Sequence, residues 1–132
     1  MKRLFLTLAL IAAAVPASAQ TASLTLACTG TTADAMSGKP EDIGAPMGIV
    51  VAGGRVSFGD WGSVPITHVT PTAVDFHGVS QTVTLGMRAQ WDIDGNIDRI
   101  SGETSVMVSM SGVKNSTVTS YHLTCKPAQR LF

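Results

Sequence analysis

Apolar and polar residues alternate along most of this chain, a pattern typical of β-strands that turn one face toward a core. The longest alternating run extends from Val83 to Ile93, with an apolar residue at every odd position. A straight strand of that length spans ~37 Å. We therefore expect a bend at Gly86, because a glycine inside a strand often marks one. Asp94-Gly95, which follows, predicts a hairpin turn.

Shorter runs separated by turn residues predict the other strands. They cover Ser23–Cys28, Met47–Ala52, Arg55–Phe58, Ile66–Val69, Ala73–His77, Asn96–Ser101, Glu103–Met110 and a final strand that ends at Cys125. Gly53-Gly54 predicts a two-residue hairpin turn that places Val51 opposite Val56. About eight short strands at this spacing predict an all-β fold, either a small antiparallel β-barrel or a strongly twisted sandwich.

Residues 29–46 have no apolar period and are rich in glycine, alanine, threonine and proline. This composition predicts a long, flexible loop, with a helical turn near Pro40-Glu41-Asp42.

The first residues have the features of a secretory signal peptide. Lys2 and Arg3 precede an apolar run, Leu4–Val15, and the small residues Ala17-Ser18-Ala19 follow it. The run is shorter than the ~20 residues that a helix needs to span a bilayer. We predict cleavage after Ala19, which makes residues 1–19 the signal peptide and residues 20–132 a single β-domain. Export to the periplasm is the first expectation, and the extracellular space is the alternative.

The two cysteines, Cys28 and Cys125, lie near opposite ends of the exported chain. An even pair in an oxidising compartment predicts a disulfide. It would close a loop of ~97 residues, for which chain entropy gives ~4–5 kcal/mol. Each cysteine ends its predicted strand, so we expect the terminal strands to run parallel or to face each other across the core. The rival hypothesis is a lipoprotein acylated at Cys28, but Thr25 stands where the acylation motif has leucine.

The charge of the chain excludes one class of function. Without Lys2 and Arg3, seven of the nine basic residues remain against nine acidic ones, a net charge near −2. Such a balance provides no basic surface for nucleic acid.

An acidic segment offers one candidate metal site. Its oxygen-bearing residues are Asp92, Asp94, Asn96, Asp98 and Glu103, at the spacing of the ligands in a calcium loop. A calcium loop has glycine at its sixth position, where this chain has Ile97. The alternative is a metal-free hairpin, for which we favour a three-residue turn that places Trp91 opposite Arg99.

The sequence contains no recognisable catalytic motif. His68, His77 and His122 lie on three different predicted strands, without the spacing of a zinc site. Asp75 and His77 share a strand face and could pair, but Ser80 lacks the second glycine of a nucleophile elbow. We therefore predict that the protein is not an enzyme.

Trp61 lies in a predicted loop, Gly59–Gly62, and has two interpretations. It either folds back to cover one end of the barrel or makes contact with a ligand or partner.

Three motifs carry a resemblance to a group of small exported bacterial proteins. They are Leu26-Ala27-Cys28-Thr29-Gly30, the segment Ile97–Glu103, and an ending with Cys125-Lys126-Pro127 and Phe132. The resemblance implies export and a fold with paired cysteines, and it implies no activity. The chain also looks distantly like small disulfide-bonded barrels that inhibit lysozyme, although it has no Ser-Gly-x-Arg-Tyr inhibitory loop.

Together these features predict a non-enzymatic envelope domain that binds a protein or a small apolar ligand. The alternatives are a structural module stabilised by calcium and a barrel similar to the lysozyme inhibitors. No cofactor is expected apart from calcium.

Overall fold

The computed structural model describes residues 23–112 and 117–128. The strands in these ranges are β1 (Leu24–Asp34), β2 (Pro40–Asp42), β3 (Met47–Ala52), β4 (Arg55–Phe58), β5 (Ser63–Val69), β6 (Ala73–Thr84), β7 (Met87–Asp98), β8 (Glu103–Met110) and β9 (Val118–Pro127). A 3₁₀ turn at Gly59–Trp61 joins β4 to β5, and the described residues contain no α-helix. The predicted signal peptide lies outside the described residues, as do residues 129–132.

Eight of the strands close into an antiparallel barrel. From β3 to β9 each strand pairs with the next, and β1 pairs with β3 on one side and β9 on the other. The short β2 lies outside this circle, beside residues 31–33 of β1. The predicted all-β antiparallel barrel is therefore confirmed. Closure satisfies the backbone hydrogen-bonding groups at the edges of the sheet.

Residues that alternate along the strands fill the barrel. The buried apolar side chains are Leu26, Cys28, Ile49, Val56, Phe58, Val64, Phe76, Ile93, Ile97, Val106, Val108, Tyr121, Leu123 and Cys125. They form one continuous cluster, to which every strand of the closed barrel contributes. The period of two in the sequence thus identifies the inward face of the sheet.

The predicted hairpin at Gly53-Gly54 is confirmed. Val51 pairs with Val56 across the β3–β4 ladder. Both glycines have positive φ, 58° and 71°, as a two-residue hairpin turn of this kind requires.

The predicted loop over residues 29–46 is wrong at two places. Thr29–Asp34 continue β1, and Pro40–Asp42 form a strand instead of a helical turn. Backbone pairing explains why residues 29–34 form a strand, because they pair with β9 throughout and with β2 over residues 31–33. Gly30 allows the close approach of β9, since a Cβ there would overlap the carbonyl oxygen of His122. A segment held by backbone pairing needs no apolar alternation.

The terminal strands also differ from the expectation. β1 and β9 are antiparallel neighbours, and Cys28 lies directly opposite Cys125. The two sulfur atoms are bonded at 2.03 Å. Because β1 extends beyond Cys28 to Asp34, the cysteine lies within its strand. The expected arrangement of the terminal strands is wrong because it assumes that β1 ends at Cys28.

The alternating run from Val83 to Ile93 is divided between two strands. A two-residue turn at Leu85-Gly86 separates them, and Thr84 pairs with Met87 across it. Leu85 and Gly86 have φ of 52° and 76°, the left-handed pair that this hairpin turn demands. The predicted bend at Gly86 is therefore a complete reversal of the chain.

The predicted turn at Asp94-Gly95 does not form. β7 continues through these residues to Asp98. Trp91 accordingly lies opposite Ser80 on β6, and the predicted pairing with Arg99 is wrong.

Leu85 occupies an unfavourable position for its residue type. It is the one non-glycine residue with positive φ among the described residues, and its side chain is 93% exposed. The left-handed conformation costs an ordinary L-residue ~1–2 kcal/mol. We expect Leu85→Asn to raise the free energy of unfolding by about 0.5–1 kcal/mol, because asparagine adopts this conformation more readily. Urea unfolding measures the change.

Val83→Asn provides the matched control, since Val83 is an exposed strand residue of the same hairpin. There we expect a loss of stability, because asparagine is unfavourable in strands. A lower unfolding midpoint for Leu85→Asn than for the parent would contradict the account of the turn.

Candidate functional site

Aromatic side chains fill one end of the barrel, where β4 leads into the 3₁₀ turn. Trp61 Nε1 donates a hydrogen bond of 3.0 Å to the Tyr121 hydroxyl, and the Trp61 ring packs edge-on against Trp91 with centroids 4.6 Å apart. Phe58 packs edge-on against Tyr121 at 5.1 Å. Ser80 Oγ donates to the Trp61 carbonyl and holds the turn in place. We call Phe58, Trp61, Trp91 and Tyr121 the aromatic end.

Trp61 folds back over this end of the barrel and also lines an open cavity of about 470 Å³ beside Met47 and Tyr121, so its role as a contact residue stays a prediction. Its side chain is half-buried, covers the end of the barrel and contacts the core. Its hydrogen-bonding group is already used within the protein.

The opposite end of the barrel contains a cavity of about 660 Å³. Its lining residues are Leu24, Leu26, Val51, Ile66, Val69, Val74, Ile97, Asp98, Arg99, Ile100, Ser101, Gly102, Cys125, Lys126 and Pro127. β1 begins and β9 ends at this end of the barrel, so the cavity opens at the end that is farthest from the aromatic end. We call it the mouth cavity. Its volume lies within the ~300–1,000 Å³ of small-molecule sites.

The walls of the mouth cavity are apolar side chains from six strands. Leu26 on β1 and Ile97 on β7 are buried, whereas Val51, Ile66 and Val74 are only half-buried. The register of β5 against β6 shifts just after Ile66, an irregularity of the kind that bends a strand. A ligand that covers these side chains would remove apolar surface from water, a gain of ~25 cal/mol per Å².

The turn from β7 to β8 forms part of the rim. Asp98 Oδ1 accepts hydrogen bonds from the backbone N–H of Ile100 at 2.8 Å and of Ser101 at 2.9 Å. The bonds from Ser101 and Ile100 lower the pKa of Asp98, because they stabilise its ionised form. Asp98 is consequently a carboxylate at neutral pH and is engaged within its own turn.

Two cations lie on the same rim. Arg99 Nη1 donates to the Thr70 carbonyl oxygen at 2.8 Å, and the Arg99 backbone N–H donates to Thr72 at the same distance. Lys126 lines the cavity from β9. Neither cation forms an ion pair with another residue in the described ranges. Since one of the five guanidinium donors is used by Thr70, others can reach a ligand.

The candidate calcium ligands do not converge. Asp92, Asp94, Asn96 and Asp98 follow one face of β7, and Glu103 begins β8. Alternate residues of a strand are ~7 Å apart, whereas calcium needs its oxygen ligands in one shell. Asn96 Nδ2 instead donates to Asp75. Within residues 23–112 and 117–128, no three histidine, cysteine or acidic side chains are grouped to hold a metal ion.

The histidines are exposed on the outer surface. His77 Nδ1 lies 3.6 Å from Asp94 Oδ2 on β7, so its acidic neighbour is Asp94 and not the predicted Asp75. Exposed pairs of this kind contribute ~0–1 kcal/mol. Ser80 is buried, and its hydroxyl supports Trp61. His77 and Ser80 therefore have separate structural partners and are not paired as a base and a nucleophile.

The sequence pattern does not identify this cavity: it assigns the apolar lining residues to strands and indicates Asp98 only as a candidate calcium ligand. Ile66 and Val74 belong to predicted strands, and their alternation identifies the inward face. Whether an inward side chain fills the barrel or borders a cavity depends on closure, register and the irregularity in β5. None of these leaves a signal in the local sequence.

The chain matches no family model, no curated protein and no solved structure. No helix in the described part of the chain is long and apolar enough to cross a bilayer.

Proposed function

We propose that this protein is an exported, non-enzymatic binding domain that holds a small apolar ligand in the mouth cavity. The observation that carries the proposal is the difference between the two ends of the barrel. Aromatic side chains pack against one another at one end, beside an open cavity of about 470 Å³ with a more polar lining, while the other end has a cavity of about 660 Å³ with apolar walls. Small-molecule sites are concave, mostly apolar and have a few polar groups at defined positions.

The construction of the barrel supports this role, because a pre-formed site avoids the entropic cost of ordering its walls when a ligand binds. The walls belong to a closed sheet, and Cys125, which lines the cavity, is bonded to Cys28 on the next strand. Ligand binding would then gain the burial of Val51, Ile66 and Val74 without a rearrangement of the strands.

The disulfide is consistent with an oxidising compartment. Together with the signal-peptide features of residues 1–19, it supports export, with the periplasm as the proposed location. A binding domain there would meet its ligand after the signal peptide is removed.

The test uses N-phenyl-1-naphthylamine, an uncharged apolar dye whose fluorescence rises in apolar surroundings. We expect saturable binding to the parent protein and an affinity at least about tenfold lower for Ile66→Trp, since loss of ~1.4 kcal/mol of contact is tenfold in Kd. The larger side chain would occupy the cavity from the wall of β5. A fluorescence titration gives both dissociation constants.

Val79→Trp is the matched control, because Val79 is an exposed residue of β6 that does not line the cavity. It should bind the dye as the parent does. Leu24→Trp repeats the test at the lip, where a 45% exposed side chain tolerates substitution with little risk to the fold. Equal binding by the parent and by both cavity variants would exclude the cavity as the site and favour a protein partner.

A further inference from the structure

We infer that the ligand is an amphiphile with an anionic head group, bound with its apolar tail in the mouth cavity and its head group at Arg99 and Lys126. The inference rests on the proposed function and specifies its ligand class. It follows from the separation of apolar and charged groups around the cavity.

The charged side chains among the lining residues are all at the rim. They are Asp98, Arg99 and Lys126, and the walls below them are aliphatic. An ionised group placed among the aliphatic walls would lose its hydration without a partner, which is strongly unfavourable. The site therefore favours one orientation, with the tail inside and the head group at the rim.

The sign of the rim favours an anion. Two cations face one carboxylate, and Asp98 Oδ1 already accepts two backbone hydrogen bonds. Arg99 and Lys126 have no ion-pair partner in the described part of the chain. An anionic head group would supply the charge that this side of the rim lacks.

The backbone holds Arg99 in position for this role. Its side chain and its backbone N–H donate to the carbonyl oxygens of Thr70 and Thr72, in the loop between β5 and β6. The turn that carries it is closed by Gly102 N–H to the Asp98 carbonyl at 2.9 Å. The guanidinium plane matches the geometry of carboxylate and phosphate oxygens, which are the two head groups that the site would accept.

The experiment measures displacement of N-phenyl-1-naphthylamine by three amphiphiles with the same ten-carbon chain: decanoate, decyl phosphate and 1-decanol. All three are used below the concentrations at which they aggregate. We expect decanoate or decyl phosphate to bind the parent protein about tenfold more tightly than 1-decanol, since a hydrogen bond to a charged group contributes ~1.5–3 kcal/mol. The preference should weaken as salt is added.

Arg99→Gln and Lys126→Gln should each remove most of this preference and leave the affinity for 1-decanol within about twofold. The 1-decanol affinity also shows that the cavity of each variant is folded. Arg88→Gln is the control of equal charge change, because Arg88 is exposed near the turn of the β6–β7 hairpin, at the other end of the barrel. It should leave all three affinities unchanged.

Two outcomes would overturn the inference in different ways. Equal affinity for the three amphiphiles, unchanged in Arg99→Gln and Lys126→Gln, would contradict the anionic head group and leave an apolar ligand as the proposed function. Displacement by none of the three, together with no saturable dye binding, would contradict the proposed function itself.

Discussion

Replacing Cys28 and Cys125 together by alanine is expected to lower the free energy of unfolding by about 2–5 kcal/mol. The bond closes a loop of 97 residues and joins β1 to β9, the pair of strands whose ladder completes the barrel. Without it the unfolded chain gains conformational freedom, and the first and last strands of the barrel separate more readily. Urea unfolding of the double variant and the parent, followed by tryptophan fluorescence, measures the difference.

The parent in the presence of a reductant provides the comparison for this variant. Its midpoint should fall toward that of Cys28→Ala/Cys125→Ala, whereas the double variant should be insensitive to the reductant. If the double variant unfolds at the same urea concentration as the oxidised parent, the disulfide does not stabilise the closed barrel and this part of the account fails.

Gly95→Ala is expected to lower the free energy of unfolding by about 2–4 kcal/mol. Gly95 lies in β7 directly opposite Phe76, whose ring is fully buried and covers the glycine. A Cβ at this position would overlap the ring atoms Cζ and Cε2. The ring would have to leave its position and would lose the packing contacts that it makes in the core. The same urea experiment measures the loss.

Gly48→Ala is the matched control. Gly48 is also a strand glycine, but its φ is not positive and no atom lies within 4 Å of an added Cβ. We expect unchanged stability or a gain of up to ~1 kcal/mol, because alanine loses less backbone entropy on folding. Equal losses in the two variants would show that the ring of Phe76 is not the cause.

The two strand reversals show where the sequence predicts the fold and where it does not. Gly53-Gly54 is a recognised hairpin signal, because two glycines readily provide two positive φ angles. Leu85-Gly86 makes the same type of turn with a leucine, and no propensity rule predicts a leucine in this conformation. The alternation continues across this turn, since a two-residue loop preserves the period of two.

Gly95 illustrates the opposite error. Asp94-Gly95 has the composition of a turn, yet the glycine is required by the Phe76 ring on the neighbouring strand. A contact between residues 19 positions apart cannot be seen in a window of a few residues. The acidic residues around it then spread along β7 and do not converge on one point.

Less of the candidate site than of the fold was predictable. The alternation identifies Leu26, Ile66 and Ile97 as inward-facing. That Lys126 of β9 lies on the same rim as Arg99 of the β7–β8 turn follows from the β8–β9 ladder, in which Glu103 pairs with Thr124, and from the bond of Cys125 N–H to the Gly102 carbonyl. The cavity below the rim draws its walls from strands that barrel closure brings together, and the order of strands along the chain does not specify that closure.

The central claim, that the mouth cavity is the ligand site, is tested most directly by methyl NMR of the protein titrated with 1-decanol. The account predicts that the largest shift changes occur at Ile66, Val74 and Ile97, and that the methyl signals of Val79 and Leu85 stay in place. Changes centred on Val79 and Leu85, or no saturable change in any methyl signal, would contradict it.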